Sequence, residues 1–254
     1  MCLIVFAWKT HPDYQLVLTA NRDEFHRRPS QALHYWPDNP EVLAGRDLQA
    51  GGTWLATHRL GRFATVTNYR EQQKFSDKHA SRGTLVTDFV TGNASAASFT
   101  RSIDGGEYAG FSLLASDGDE LFYVSNRGDP PARLDPGIYG LSNASLDTPW
   151  PKVQRCRDAL QALVESNEIN STSLFRVMAD RTCASVADVE AGHLPFELAR
   201  ALTAPFIVSA DYGTRCSTVM LWSNDGKIEL SERRFDASGE SSGESRFSLS
   251  AGKR

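Results

Sequence analysis

The stretch Cys2-Leu3-Ile4-Val5-Phe6-Ala7-Trp8, then Lys9-Thr10-His11-Pro12-Asp13-Tyr14, then Gln15-Leu16-Val17-Leu18-Thr19-Ala20 and the polar quartet Asn21-Arg22-Asp23-Glu24 decides the fold. Two apolar runs of strand length, joined by a segment holding Pro12 and Asp13, predict an antiparallel hairpin. The quartet is expected just beyond the second strand, where loops present functional groups.

Working outward, the pattern recurs. Gly51-Gly52-Thr53-Trp54-Leu55-Ala56-Thr57, a turn around Leu60-Gly61, and Arg62-Phe63-Ala64-Thr65-Val66-Thr67 predict a second hairpin that delivers Asn68-Tyr69-Arg70 to its exit. Between the hairpins, residues 25–50 carry Pro29, Pro37 and Pro40 and are expected as an ordered loop over a sheet edge. Residues 84–91 and 94–101 have helical apolar spacing interrupted by Gly92-Asn93. Strands are expected at 110–116 and 120–125, and a further pair at 132–134 and 138–141 around Asp135-Pro136-Gly137. Pro149-Trp150-Pro151 opens a helix to about residue 166, with Val153, Cys156, Leu160 and Leu163 on one face. Residues 171–173 are suited to cap a second helix through residue 179. A last hairpin runs over 214–222, turns at Asn224-Asp225-Gly226 and returns over 227–235.

Strand blocks alternating with helix blocks, all joined by short turns, predict an α+β protein: two antiparallel sheets face to face with helices outside. No Pro- or Gly-rich linker divides the chain, so residues 1–254 are read as one domain. Residues 237–245 are rich in Ser, Gly and Glu and are expected to be mobile, while Phe247 and Leu249 suit a final strand.

With 254 residues and a formal net charge of −4, the chain lacks the basic footprint of a nucleic-acid binder. No run approaches the roughly 18 apolar residues of a membrane helix, and the apolar start lacks the basic flank of a signal peptide. Cys2, Cys156, Cys183 and Cys216 form no Cys-x-x-Cys pair and no zinc-ligand spacing. Reduced thiols and a cytoplasmic location are therefore expected.

The chemistry concentrates at Cys2. Removal of Met1 would leave a thiol and an α-amine on one residue, the amine with an ordinary pKa of about 7.7–8.0 and the thiol about 8.5, so that one serves as base for the other. Arg22 is suited to hold a thiolate or a substrate carboxylate, and Asp23 or Glu24 to orient the amine. Asn68 and Asn143 carry side-chain amides able to donate to an oxyanion, and Arg215 brings a second cation after Tyr212-Gly213-Thr214. Taken singly, each also suits a plain structural role: Cys2 as a small buried hydrophobe, the asparagines in turns, the arginines in surface pairs.

Together these residues resemble a known family. Met1-Cys2, Thr19-Ala20-Asn21-Arg22-Asp23-Glu24-Phe25, Arg28-Pro29, Gly51-Gly52-Thr53-Trp54-Leu55, Thr67-Asn68-Tyr69-Arg70, Arg82-Gly83, Asn126-Arg127-Gly128, Tyr139-Gly140-Leu141-Ser142-Asn143, Thr148-Pro149-Trp150-Pro151-Lys152 and Tyr212-Gly213-Thr214-Arg215 occur in the order of the NRDE family, also called the transport-and-Golgi-organization protein 2 family. The resemblance implies a four-layer αββα sandwich of N-terminal-nucleophile hydrolase type. It is similar in turn to bile-salt hydrolases and penicillin V acylases, which also begin Met-Cys. By position it implies Cys2, Arg22, Asp23, Asn68, Asn143 and Arg215 as the site. In those enzymes the Arg and Asp stand three apart, whereas here they are adjacent, so Glu24 stands beside Asp23 as the amine-orienting candidate.

The resemblance also implies intracellular haem trafficking, with lipid or acyl-CoA handling as a related role. Two functions are therefore carried forward: a carrier of a small amphipathic ligand, haem or an acyl compound, and a Cys2-dependent amidohydrolase that needs no cofactor. Haem would enter as transported ligand, in an apolar slot with an axial His or Cys. Among His11, His26, His34, His58, His79 and His193, the second and third are placed where a lid over a pocket is expected.

Overall fold

The computed structural model describes residues 2–71, 80–128, 130–189 and 194–250. In chain order these form β1 (Cys2–Trp8), β2 (Tyr14–Phe25), β3 (Ser30–Trp36), β4 (Asn39–Asp47), β5 (Leu55–His58), β6 (Arg62–Asn68), α1 (Arg82–Thr91), α2 (Ala96–Ser102), β7 (Phe111–Ser116), β8 (Leu121–Ser125), β9 (Ala132–Arg133), β10 (Gly137–Leu141), α3 (Pro151–Glu165), α4 (Ser171–Met178), α5 (Phe196–Ala201), β11 (Tyr212–Ser223), β12 (Lys227–Phe235) and β13 (Ser241–Ser250). The first sheet runs β10-β1-β2-β11-β12-β13 and the second β3-β4-β5-β6-β7-β8-β9, with antiparallel pairing throughout.

Strand alternation makes both faces of each sheet apolar, so each sheet needs cover on two sides. Phe6, Trp8, Leu18, Met220 and Trp222 of the first sheet meet Leu43, Leu55, Phe63 and Leu114 of the second, which builds the central core. The opposite face of the second sheet packs on Leu85, Val86, Phe89 and Val90 of α1. Leu3, Val5 and Val219 on the other face of the first sheet pack on Val153, Cys156 and Leu160 of α3 and Leu174 and Phe175 of α4. The result is the expected four-layer αββα sandwich. Each fully buried large side chain contributes about 1.5–3 kcal/mol to holding the layers together.

Four expectations are corrected. Residues 25–50 hold strands β3 and β4 instead of a loop: Pro37 lies in the turn between them, and Pro40 precedes Val42, where pairing with β5 begins, so its missing N–H costs no bond to that strand. The quartet at 21–24 lies inside β2, because β1 and β11 flank that strand on both sides and pair with it through polar residues. The segments around Asp135-Pro136-Gly137 do not pair with each other. β9 extends the second sheet beside β8, and the chain then crosses so that β10 joins the first sheet beside β1. Finally, the stretch expected to be mobile enters β13 at Ser241. There Arg233 pairs with Glu244 at 3.0 Å and Arg234 donates to Ser245 at 2.8 Å, while Leu249 is buried in the central core.

Two motifs far apart in sequence meet as bare backbone. A Cβ on Gly52 would lie 2.6 Å from the Gly83 carbonyl carbon, and one on Gly83 would lie 3.0 Å from Thr53 N. By contrast, Gly51 has open space around it but a φ of 78°. Gly52→Ala is therefore expected to cost about 1–3 kcal/mol through a steric clash. Gly51→Ala should cost only about 1–2 kcal/mol through backbone conformation. Urea denaturation of both variants checks this, and a Gly52→Ala chain as stable as the parent would show that the two loops do not need this close approach.

Candidate functional site

Register places the site. Cys2 opens β1 opposite Arg22 of β2, and Arg22 is in turn opposite Cys216 of β11, so these three side chains share the face between the sheets. Arg22 is only 6% exposed; its guanidinium lies over the Trp54 ring at 4.2 Å, and its Nη2 stands 3.8 Å from Asp47 Oδ2. Its Nη1 is buried and has no hydrogen-bond partner among the described residues.

Asp23, one residue further along the strand, must point to the other face. Its Oδ1 accepts from Thr214 Oγ1 at 2.7 Å, and its carbonyl accepts from the Tyr212 hydroxyl at 2.8 Å. On that side lies Lys152 of α3, 2% exposed, whose Nζ donates to the Leu202 carbonyl at 3.0 Å. Burial pushes the Cys2 thiol up from its ordinary value; the Asp23 carboxylate adds to the rise, and the Asp23 backbone N–H and Arg22 oppose it. Burial also raises the Asp23 carboxyl against the pull of Lys152, Thr214 and Arg22. It lowers the Lys152 ammonium, which Asp23 and Cys2 support. Cys2, Asp23 and Lys152 are thus three buried titratable groups, each held away from its charged form by burial and coupled electrostatically to the others.

Glu24 shares the face of Arg22 and lines the cleft that holds Cys2, but its carboxylate is taken up locally. Its Oε1 accepts from Phe25 N at 2.8 Å and its Oε2 lies 3.9 Å from Arg28. Asp23, and not Glu24, is therefore the carboxylate buried beside Cys2. Asn21 is structural: its Nδ2 donates to the Met178 and Pro205 carbonyls, both at 2.9 Å, and its Oδ1 accepts from Ser217 at 2.5 Å.

The crossing of β10 into the first sheet brings Ser142 and Asn143 beside β1. Ser142 Oγ donates to the Cys2 carbonyl at 2.8 Å, and Asn143 Nδ2 donates to the Asn68 carbonyl at 2.7 Å. The two asparagines therefore stand in contact, with one amide hydrogen of Asn143 spent on holding Asn68. The Asn68 side chain makes no hydrogen bond among the described residues and lines both neighbouring clefts.

Arg215 is not brought to Cys2. It occupies the irregularity in β11 between Thr214 and Cys216, and its Nη1 donates to the carbonyls of Phe25, His26 and Arg28 at 2.9, 3.1 and 3.2 Å. It fastens the exit of β2. The two histidines placed near a lid are likewise tied to backbone: His26 Nε2 lies 3.0 Å from the Ser209 carbonyl, and His34, inside β3, has Nδ1 2.7 Å from the Ala32 carbonyl.

Two clefts meet at Asn68. The first, about 420 Å³, is charged and is lined by Cys2, Arg22, Glu24, Arg28, Asp47 and Arg82, among others. The second, about 310 Å³, is mainly apolar, with Phe25, Leu194, Leu198, Leu202 and Tyr212 in its wall. Lys152, Arg82 and Trp54 complete the surroundings of Cys2 without having been assigned a role from sequence. All three lie in motifs quoted above, and the signal available for Lys152 was a lysine in the first turn of a helix beside apolar neighbours.

Two antiparallel sheets face to face between helical layers, with β1 opening at Cys2, form the architecture of N-terminal-nucleophile hydrolase-fold proteins. Solved structures of that fold resemble the chain. A Caenorhabditis elegans ortholog of N-acylethanolamine-hydrolyzing acid amidase matches with a TM-score of 0.51 at 9% identity, over 87% of this chain and 92% of that one. The C2A mutant of the conjugated bile acid hydrolase from Clostridium perfringens matches with a TM-score of 0.56 at 7% identity, over 98% and 92%. Within this fold, the chain belongs to the Transport and Golgi organisation 2 family, whose profile matches residues 1–237. The Transport and Golgi organization protein 2 homologs of Homo sapiens and Bos taurus are 35% and 36% identical to it, each over 92% of both chains. Among the described residues, no helix is long and apolar enough to cross a membrane.

Because burial, and to a smaller extent Asp23, oppose the Cys2 thiolate, alkylation of Cys2 by iodoacetamide should reach half-maximal rate above the ordinary thiol value of about 8.5. Asp23→Asn should move that profile to lower pH. Peptide mass spectrometry across a pH series reads both, and an unmoved profile would show the two groups to be uncoupled.

Proposed function

We propose that the protein is an amide hydrolase in which Cys2, freed of Met1, is the nucleophile. The observation that carries this reading is the position of the Cys2 thiol: in a cleft between two sheets, with Arg22 on one side of the strand, Asp23 on the other and Asn68 at the cleft mouth. The two fold neighbours, an amidase and a bile acid hydrolase, also support it.

In this mechanism the Cys2 sulfur attacks the amide carbonyl carbon while its proton passes to the Cys2 α-amine, which Asp23 orients. Charge develops on the carbonyl oxygen, where the Asn68 amide donates. Collapse breaks the C–N bond; the leaving amine takes the proton held by the α-amine, and the acyl group remains as a Cys2 thioester. Water then attacks the thioester, releasing the acid and restoring the thiol. The apolar cleft beyond Asn68 suits the acyl chain, with Phe25, Leu198 and Leu202 against it.

That apolar cleft also favours a second reading, carriage of an amphipathic ligand such as haem or an acyl compound. The charged cleft offers no apolar slot for a porphyrin, so a haem would have to sit against the apolar wall.

Intact mass of protein made in a cell with normal methionine processing should be short by one methionine. Cys2→Ala should lower amide turnover by about a thousandfold or more while leaving thermal stability unchanged. An active preparation that retains Met1 would overturn the nucleophile assignment. A saturable haem titration, unaffected by Cys2→Ala and accompanied by no turnover, would favour carriage instead.

A further inference from the structure

The charged cleft holds cationic groups that the proposed hydrolysis does not use. Arg28 is neutralised, its Nε lying 2.7 Å from Asp47 and 3.9 Å from Glu24. Among the described residues, Arg22 has a 3.8 Å approach to Asp47 as its ion pair, and its Nη1, on a residue only 6% exposed, has no hydrogen-bond partner. Arg82 donates from Nη1 to the Gly110 carbonyl at 3.1 Å, and among the described residues no carboxylate stands within ion-pair distance of it. Burial and, less strongly, Arg28 work against the Arg82 charge, while Cys2, Glu71 and Glu24 support it from beyond ion-pair distance.

Arg82 is also the first residue of α1, a helix of 10 residues. The partial positive charge of a helix N-terminus disfavours a cation there, and the first turn of α1 carries no acidic residue to offset it. Ser81 Oγ accepts from the Gly83 N–H and the Ser81 carbonyl from the Thr84 N–H, and Ser81, Arg82 and Gly83 all line the cleft that holds Cys2 and Arg22. Among the described residues, a helix terminus, a guanidinium with no carboxylate in ion-pair distance and a buried guanidinium with an unused N–H therefore border one cleft. Such an arrangement is unfavourable when empty and is relieved by an anion.

We infer that this cleft is a carboxylate-binding site formed by Arg82, Arg22 and the N-terminus of α1, and that the amide hydrolysed at Cys2 carries a carboxylate close to its scissile bond. The assignment of the substrate class rests on the hydrolase reading; the anion site itself does not. A carboxylate fits better than a phosphate dianion. The planar fork of a guanidinium matches a carboxylate, and Glu24 and Asp47 in the same wall would repel a second negative charge.

The test uses the full chain carrying Cys2→Ala, which binds without turning over. Isothermal titration compares N-octanoylglycine, its methyl ester and octyl phosphate. The acid is expected to bind roughly 10- to 100-fold more tightly than the ester, the range expected for hydrogen bonds to a charged group. Arg82→Gln should reduce the acid to the affinity of the ester. Should Arg82→Gln not fold, the acid–ester comparison on the otherwise unchanged chain decides. Equal binding of acid and ester, or no measurable binding of the acid, overturns the site, and tighter binding of octyl phosphate overturns the carboxylate assignment. If the acid binds selectively but the parent chain hydrolyses neither amide, the anion site stands and the hydrolase reading falls. If the parent hydrolyses acid and ester with equal kcat/KM, the reverse holds.

Discussion

The alternation of side chains along β2 is the constraint on which the rest of the site depends. Because β1 and β11 pair with β2 on both sides through its polar end, Arg22 must face the second sheet and Asp23 must face α3. Both end up buried, at 6% and 2% exposure, so each needs its own partner set. Trp54 and Asp47 meet Arg22 on one side; Thr214, Tyr212 and the field of Lys152 meet Asp23 on the other. Cys2 lies beside the point where these two environments divide. The spacing of Arg and Asp along the strand therefore decides which layer each group belongs to, and adjacency separates them.

The second requirement is that the two sheets stay in fixed relation at this end of the sandwich. The apolar core holds them elsewhere, but around Cys2 the contacts are polar and directional. Asn143 links the end of β10 to the end of β6 through the Asn68 carbonyl, and Arg70 N donates to the Asn143 carbonyl at 2.7 Å. On the far side of β2, Asn21 holds the end of α4 and the segment before β11. Arg215 gathers three carbonyls just after β2. Buried hydrogen bonds of this kind add modestly to stability but are costly to leave unmade, so they define position more than they add strength. The residues that look most chemical in the sequence thus divide into those that face the cleft and those that hold its walls.

Much of the architecture was legible because period-2 apolar patterning and turn residues act locally. The hairpins β1–β2, β5–β6, β7–β8 and β11–β12 and the helices α1 to α4 follow from it. The errors have one origin. Proline at 37 and 40 reads as loop until a turn and a position ahead of strand pairing accommodate it; a Ser/Gly/Glu stretch reads as mobile until Arg233 and Arg234 of the neighbouring strand pair with it. Partner strands supply what local composition lacks.

The αββα class, the family motifs and the presence of Cys2, Arg22, Asp23 and Asn68 at one end of the strands could be read from residue order alone, because periodicity and motif order are one-dimensional properties. The folded chain was needed to show that β9 and β10 belong to different sheets, that Asp23 is more deeply buried than Glu24 beside Cys2, that Arg215 is a fastening and that Lys152 and Arg82 join the surroundings of Cys2. Those outcomes depend on which strand lies beside which and on how burial changes the cost of a charge, and both arise from contacts between residues distant along the chain.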